Sequence, residues 1–210
     1  TGHYRWLSVD PVINREEALA NPQLWNLYAY CRNSPITYWD PIGLDNYVFY
    51  DPQSFVKQAQ AEAKRLQSKD NNEPTHTIPI RTEEEFKRAW SSMIDPTDVT
   101  LIFHSGSGEA GPTTISIDWE KGEYLTTNPK GHTPKGVPAT YIGELEQKTF
   151  DTLTLYVCRA GKAKVSENLA AVFSKTQNIS TVKASPNNVS FNPITFKPWP
   201  WLKWVYYHKQ

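Results

Sequence analysis

Residues 45–210 alternate short strand patterns with helix patterns, and this alternation limits the possible folds more than any other feature. Runs of apolar, β-branched and aromatic residues mark strands at 47–50, 76–80, 98–103, 152–157 and 179–184. Apolar residues at helical spacing mark helices at 52–67, after Thr82 and at 165–173. Strands that alternate with helices of this length are typical of an α/β fold, with a layered and mostly parallel sheet flanked by helices.

Capping residues and turns refine the element boundaries. Asp51 and Pro52 supply an N-cap and a proline at the first helical position, which predicts a helix from residue 52. Thr82 and Glu85 form a capping box, which opens the second helix. Further predicted elements are a hairpin at 113–117 and 124–127 and a short helix that contains Ile142 and Leu145.

Charge and cysteine content exclude several classes of protein. The 22 basic and 22 acidic residues balance, so the chain is not a polycation that coats nucleic acid along its whole length. No apolar run approaches the roughly 18 residues of a membrane span. Two cysteines, Cys31 and Cys158, cannot supply a disulfide framework, so an apolar core must hold the fold together.

Residues 1–44 differ from the rest of the chain and form a separate predicted segment. Their aromatic residues are interrupted by four proline turns at Asp10-Pro11, Asn21-Pro22, Ser34-Pro35 and Asp40-Pro41. A segment of this length with so many turns cannot close its own core, so its aromatic side chains need a partner surface. The opening residues, without an initiator Met, indicate a piece of a longer protein whose upstream part provides that surface.

Three motifs in this segment resemble the end of the RHS-repeat-associated core. They are Gly2-His3-Tyr4-Arg5-Trp6-Leu7-Ser8-Val9-Asp10-Pro11, Asn26-Leu27-Tyr28-Ala29-Tyr30-Cys31-Arg32-Asn33-Ser34-Pro35 and Asp40-Pro41-Ile42-Gly43-Leu44. The resemblance implies an upstream RHS shell that encloses a C-terminal toxin, released by self-cleavage between Leu44 and Asp45. It implies Asp40 and Asp10 as the acid pair for that cleavage. On turn chemistry alone, Asp40 equally well starts a turn.

The two strongest strand patterns each end at a residue that can take part in catalysis. The strand at 98–103 is followed by His104, and the strand at 152–157 is followed by Cys158. Since ligands bind beyond the carboxyl ends of parallel strands, we expect both side chains at one edge of the sheet. A thiolate is a good nucleophile, and a neighbouring imidazole can take the thiol proton. Taken alone, Cys158 is as well explained as an inert core residue, and His104 as a capping or core residue.

The order of strand, His, glycine loop, strand and Cys over residues 98–185 resembles the caspase-like cysteine peptidases. The resemblance implies His104 as general base and Cys158 as nucleophile. It also implies that the backbone N–H of Cys158, with that of Ser105 or Gly106, would hold the oxyanion. Arg159 and a helix start after Cys158 are expected to add positive charge near the sulfur.

Other motifs in the chain give weaker signals. Residues 106–111 match Gly-x-Gly-x-x-Gly, but a strand pattern follows where a dinucleotide site needs a helix. The histidines are too scattered for metal-ligand spacing, so neither a metal nor another cofactor is predicted. The aromatic tail at 198–207 is expected to pack on the domain or inside the shell, with contact to a membrane surface or a target as the alternative.

The sequence therefore predicts the secreted C-terminal effector of an RHS-type polymorphic toxin, delivered into a target cell. Its favoured activity is hydrolysis of protein substrates by a caspase-like domain, and a cognate immunity protein is a possible partner. One alternative is a toxin of another class, such as an ADP-ribosyl or nucleotide transferase or a nuclease, in which Cys158 is structural. The other is a non-enzymatic binding or membrane-active module that uses the aromatic tail.

Overall fold

The structure is a computed structural model, and it describes residues 45–69, 74–106, 113–118, 120–162 and 167–208. The predictions made for residues 1–44, including those for Asp10, Asp40 and Leu44, lie outside the described residues. All of the described residues belong to the segment that begins at Asp45.

A six-stranded, mostly parallel sheet forms the centre of this segment. Its strands are β1 (Asp45–Tyr50), β2 (Thr75–Pro79), β3 (Pro96–Ile102), β8 (Thr149–Tyr156), β9 (Asn178–Ala184) and β10 (Val205–His208). Their order across the sheet is β10-β9-β8-β3-β1-β2, with β10 alone antiparallel to its neighbour. The prediction of an α/β fold with a mostly parallel sheet is confirmed.

A smaller four-stranded sheet is inserted between β3 and β8. It consists of β4 (His104–Ser105), β5 (Thr114–Asp118), β6 (Glu123–Thr126) and β7 (Thr140–Tyr141), followed by a 3₁₀ turn at Ile142–Glu144. The pairing of β5 with β6 is antiparallel, as expected for a hairpin. The short helix expected around Ile142 and Leu145 is only this single turn, and both side chains are buried.

Helices cover the two faces of the large sheet unequally. Helix α1 (Val56–Lys69) packs on one face, where Ala59 and Leu66 meet apolar residues of β1, β3 and β8. Helices α2 (Glu83–Ser91) and α3 (Leu169–Thr176) pack on the opposite face, together with the small sheet. The result is a three-layer arrangement whose larger core lies on the side of α2 and α3.

Trp90 lies at the centre of that larger core. Its ring centroid is 5.7–6.2 Å from those of four phenylalanines, Phe49, Phe86, Phe150 and Phe173. Its indole N–H donates to the carbonyl of Glu146 at 3.0 Å, so burial leaves no polar group of the ring unpaired. The core therefore joins β1, β8, α2 and α3 through one side chain.

The first helix begins later than its sequence predicts. Asp51 does not cap α1, because its carboxylate accepts the N–H of Gln53 and its carbonyl accepts the N–H groups of Ser54 and Phe55. The Asp-Pro pair thus forms a separate turn, and α1 starts at Val56. The second helix agrees with its capping signal, since Thr82 Oγ1 accepts the N–H of Glu85 at 3.1 Å.

The inner face of α1 carries a buried carboxylate, at a position that the spacing of apolar residues did not predict to be buried. Glu62 is 4% exposed and accepts two hydrogen bonds of 2.8 Å from the guanidinium of Arg65. The hydroxyls of Tyr156 and Thr100 donate to the same carboxylate at 3.3 and 3.4 Å. Burial, and then the charge of Glu62, raises the pKa of Tyr156 well above its usual value. This polar cluster links α1 to two central strands.

Candidate functional site

His104 and Cys158 occupy equivalent positions beyond two paired strands. The parallel ladder of β3 and β8 runs from Asp98 opposite Thr152 to Ile102 opposite Tyr156. His104 and Cys158 each follow the last of these pairs by two residues. The structure therefore brings both residues to the same edge of adjacent strands, as the sequence predicted.

Both side chains lie on the face of the sheet that carries α1. His104 is exposed, and its ring packs 4.7 Å from that of Phe55, which belongs to the apolar cluster on that face. Cys158 is half-buried and contacts Val189, which packs against the same cluster. Cys158 is therefore partly exposed at this edge of the sheet.

The imidazole of His104 is held by the segment that follows β1. Its Nε2 atom is 3.2 Å from Oγ of Ser54, an exposed residue between the Asp51 turn and the start of α1. The topological switch point of the sheet lies between β1 and β3, because the chain adds β2 on one side of β1 and then β3 on the other side. Ligand crevices in such sheets usually form at this point. In the described arrangement the hydrogen bond of His104 thus goes to Ser54, and not to Cys158.

The thiol of Cys158 is held by the segment that follows β9. Cys158 Sγ accepts the backbone N–H of Val189 at 3.3 Å and is 3.8 Å from the carbonyl oxygen of the same residue. Both contacts come from the backbone of this one residue. The segment that carries Val189 therefore lies directly beside the candidate nucleophile.

The expected surroundings of Cys158 are present only in part. Arg159 follows it in the left-handed region, with φ of 61°, and donates its backbone N–H to Asn187 and its side-chain Nε to Asn188. The guanidinium is therefore bound to the loop after β9. The expected helix start does not follow directly, because α3 begins only at Leu169.

Ser105 and Gly106 were named as alternative N–H donors to the oxyanion, and the structure distinguishes between them. The N–H of Gly106 donates to the carbonyl of Thr114 at 2.9 Å, as part of the small sheet. Because hydrogen-bonded and non-hydrogen-bonded pairs alternate along an antiparallel ladder, Ser105 opposite Ile115 directs its N–H away from β5. Of the two, Ser105 is the donor that the geometry favours.

A separate groove of about 510 Å³ lies between the start of α2, the β5–β6 hairpin and the chain before β7. Three glutamates line it, but Glu83 accepts the N–H of Tyr124 and the hydroxyl of Thr140, and Glu123 accepts the N–H of Glu83. These carboxylates join α2 to the small sheet. Neither His104 nor Cys158 lines the groove, so it does not define a substrate preference for them.

Within the described ranges, two kinds of feature are absent. No group of three His, Cys, Asp or Glu side chains lies close enough together to hold a metal ion. No helix of that part of the chain has the length and apolar character needed to cross a bilayer.

Sequence reasoning missed two residues of the site, Ser54 and Val189. Ser54 follows the Asp51 turn, and nothing in the local sequence indicates a contact with a residue 50 positions later. Val189 acts through its backbone, which its side-chain type does not reveal. The glycine-rich stretch after Gly106 falls outside the described residues.

No protein-family model, no curated protein and no solved structure matches the chain. Its function must therefore be inferred from the residues and from their geometry.

Proposed function

We propose that residues 45–210 form a cysteine peptidase domain of the caspase-like kind, with Cys158 as nucleophile and His104 as general base. The observation that carries this proposal is the shared register of the two residues, each two positions beyond the ladder pair of Ile102 and Tyr156. Half-burial of Cys158 and exposure of His104 leave both accessible from one side of the sheet.

The chemistry is acyl transfer through a thioester. A peptide bond that lies between the two groups receives the sulfur of Cys158 on its carbonyl carbon, and the thiol proton passes to His104. The oxygen of the tetrahedral intermediate accepts hydrogen bonds from the backbone N–H groups of Cys158 and Ser105. His104 then gives its proton to the leaving amine, and water hydrolyses the thioester to restore the thiol.

We place this domain in an RHS-type polymorphic toxin because of the motifs in residues 1–44. In that setting an upstream shell releases residues 45–210 by cleavage after Leu44, with Asp40 and Asp10 as the acids. Its substrate is then a protein of the cell that receives the domain. Two cysteines without a disulfide framework suit action in a reducing cytosol.

The test is proteolysis by the purified 210-residue chain, with new protein N-termini counted by mass spectrometry in a bacterial and in a eukaryotic lysate. Cys158→Ala and His104→Ala should each lower the rate by about a hundredfold or more. Cys31→Ala is the matched control, since it removes the other thiol, and it should leave the rate unchanged.

Alkylation by iodoacetamide at neutral pH gives a second, substrate-free measurement. Cys158 should react faster than free cysteine, and His104→Ala should slow that reaction. Proteolysis or toxicity that persists at full strength in Cys158→Ala overturns the proposal, and it then favours a toxin of another class.

A further inference from the structure

The chain that joins β9 to β10 exposes large apolar side chains of a kind that soluble surfaces usually cover. Ile194 is 84% exposed and Trp201 is 69% exposed. Ile194, Lys197, Trp199, Trp201 and Lys203 follow one another along this segment, all of them exposed except Trp199, which is half-buried, and we call them the cationic aromatic surface. Both of its lysines are exposed. Large apolar side chains exposed together often mark a site of interaction.

The loop at one end of this surface is closed by hydrogen bonds of Asn192. The side-chain Oδ1 of Asn192 accepts the N–H groups of Ile194 and Thr195, at 2.8 and 2.9 Å. Its backbone N–H donates to the carbonyl of Lys197 at 2.9 Å. Ile194 therefore lies at the tip of a closed loop, and its insertion into a partner would cost little backbone order.

The other end of the surface is a pair of stacked indoles. The rings of Trp199 and Trp201 lie 4.4 Å apart between centroids, with an interplanar angle of 17°. The backbone N–H of Trp199 donates to the carbonyl of Ser190, which ties the pair to the start of the same loop. Indole rings favour the boundary between water and hydrocarbon, because they combine an apolar ring with a polar N–H.

The charge of this part of the sequence has a single sign. After Glu167 the chain contains no acidic residue and five lysines, namely Lys175, Lys183, Lys197, Lys203 and Lys209. Because the whole chain is neutral, the preceding part carries a matching excess of acidic residues. A ligand of negative charge is therefore attracted to the two exposed lysines of this surface, Lys197 and Lys203.

We propose that the cationic aromatic surface binds the anionic headgroup layer of a lipid bilayer, as a peripheral contact without a membrane span. Trp199 and Trp201 would lie at the headgroup level, Ile194 would reach the acyl boundary, and Lys197 and Lys203 would pair with lipid phosphates. A nucleic acid fits less well, because no arginine follows Arg159 and the indoles stack on each other instead of presenting two free faces to bases. The proposal does not depend on peptidase activity.

The experiment is flotation of the full chain with vesicles of phosphatidylcholine alone and of phosphatidylcholine with phosphatidylserine. We expect binding to the anionic vesicles, weak binding to the neutral ones, and a blue shift of tryptophan fluorescence in the bound state. Lys197→Glu with Lys203→Glu should lower the partition coefficient for anionic vesicles roughly tenfold or more. Ile194→Ser with Trp201→Ala should lower it by a similar factor on both kinds of vesicle.

Matched controls make the same chemical changes elsewhere on the surface. Ile94→Ser removes another exposed isoleucine, and Lys175→Glu reverses another exposed lysine of the same acid-free region. These controls should float like the unaltered chain. Equal binding by the surface variants and the controls overturns the proposal, as does binding to single-stranded RNA or to polyglutamate with no binding to vesicles.

Discussion

Ser54 holds His104 by the only side-chain hydrogen bond that this imidazole makes within the described residues. Since Nε2 points at the serine, Nδ1 is the ring nitrogen left to exchange a proton with another group. The ring of Phe55 supports the imidazole from a second direction. Ser54 is thus a positioning residue for His104 in the proposed mechanism.

Ser54→Ala should leave His104 supported by Phe55 alone, so the imidazole would sample more orientations. If the domain is a peptidase, kcat should fall roughly tenfold with little change in KM. The ¹⁵N chemical shifts of the His104 ring should also move towards an even mixture of the two tautomers. Ser92→Ala is the control, because its hydroxyl donates to a carbonyl at the exposed end of α2. Unchanged ring shifts in Ser54→Ala would contradict a positioning role.

Gly161 lies where the turn after β8 passes close to the edge strand β10. Its N–H donates to the carbonyl of Ser185 at 3.0 Å. A β-carbon at this position would overlap with Cγ2 of Val205 and press on Ala184. The glycine is therefore required by the close approach of two elements.

Gly161→Ala should destabilise the fold by about 1–3 kcal/mol, because β10 must shift to admit the extra carbon. Val205→Ala should cost less on its own, and in the double variant it should recover part of the loss. Urea unfolding of the four proteins measures the coupling. Strictly additive changes in the free energy of unfolding would show that the two side chains do not compete for the same space.

Thr82 caps α2 through a single hydrogen bond to the N–H of Glu85. Thr82→Ala should lower the free energy of unfolding by about 1 kcal/mol, whereas Thr82→Ser should restore most of it. Chemical denaturation monitored by tryptophan fluorescence suits this test because Trp90 belongs to the same helix. A loss in the serine variant as large as in the alanine variant would mean that the methyl group matters and the cap does not.

The central strands could be predicted because their apolar, β-branched runs are long and end at clear turns. The strand β10 could not, because the aromatic residues of the tail indicate an interfacial segment as readily as a strand. In the structure, one part of that tail packs on the domain and another part is exposed. Trp204 packs against Tyr156 and Lys183, whereas Trp201 is exposed. The expectation that the tail packs on the domain is therefore met by only part of it.

The candidate site was predicted to the extent that it depends on strand ends. His104 and Cys158 follow strands whose pairing could be inferred, but their hydrogen-bond partners come from loops after other strands. A contact between Ser54 and His104 depends on the order of strands in the sheet, which local patterns do not fix. In the same way, Glu62 lies on the buried face of α1, where the spacing of alanines and leucine gave no reason to expect a charge.

At the scale of the whole molecule, the polar cluster around Glu62 makes the free energy of unfolding depend on pH in the alkaline range. Tyr156 is buried and donates to Glu62, and its pKa is raised first by burial and then by the nearby carboxylate. An unfolded tyrosine loses its proton near pH 10, whereas the folded domain keeps it to higher pH. Above that point the folded state binds more protons than the unfolded state, so stability falls as pH rises.

Tyr156→Phe should therefore be less stable than the unaltered chain at neutral pH, by about 1 kcal/mol for the lost hydrogen bond. Above about pH 10 the difference should shrink by about 1.4 kcal/mol per pH unit, because only the unaltered chain loses stability through this group. Free energies of unfolding at a series of pH values give both curves. Parallel curves across the alkaline range would show that Tyr156 titrates alike in both states.

The relative position of His104 and Cys158 is fixed by strand pairing and not by the length of chain between them. Each residue follows the β3–β8 ladder by two positions, and of the small sheet only the pairing of β4 with β5 touches His104 directly. Related chains can therefore lengthen or shorten the insertion beyond the β4–β5 pair without separating the two side chains. One residue added between Tyr156 and Cys158, by contrast, would turn the sulfur towards the opposite side. A search for relatives should then hold constant the offset of each residue from its strand and let the spacing between them vary.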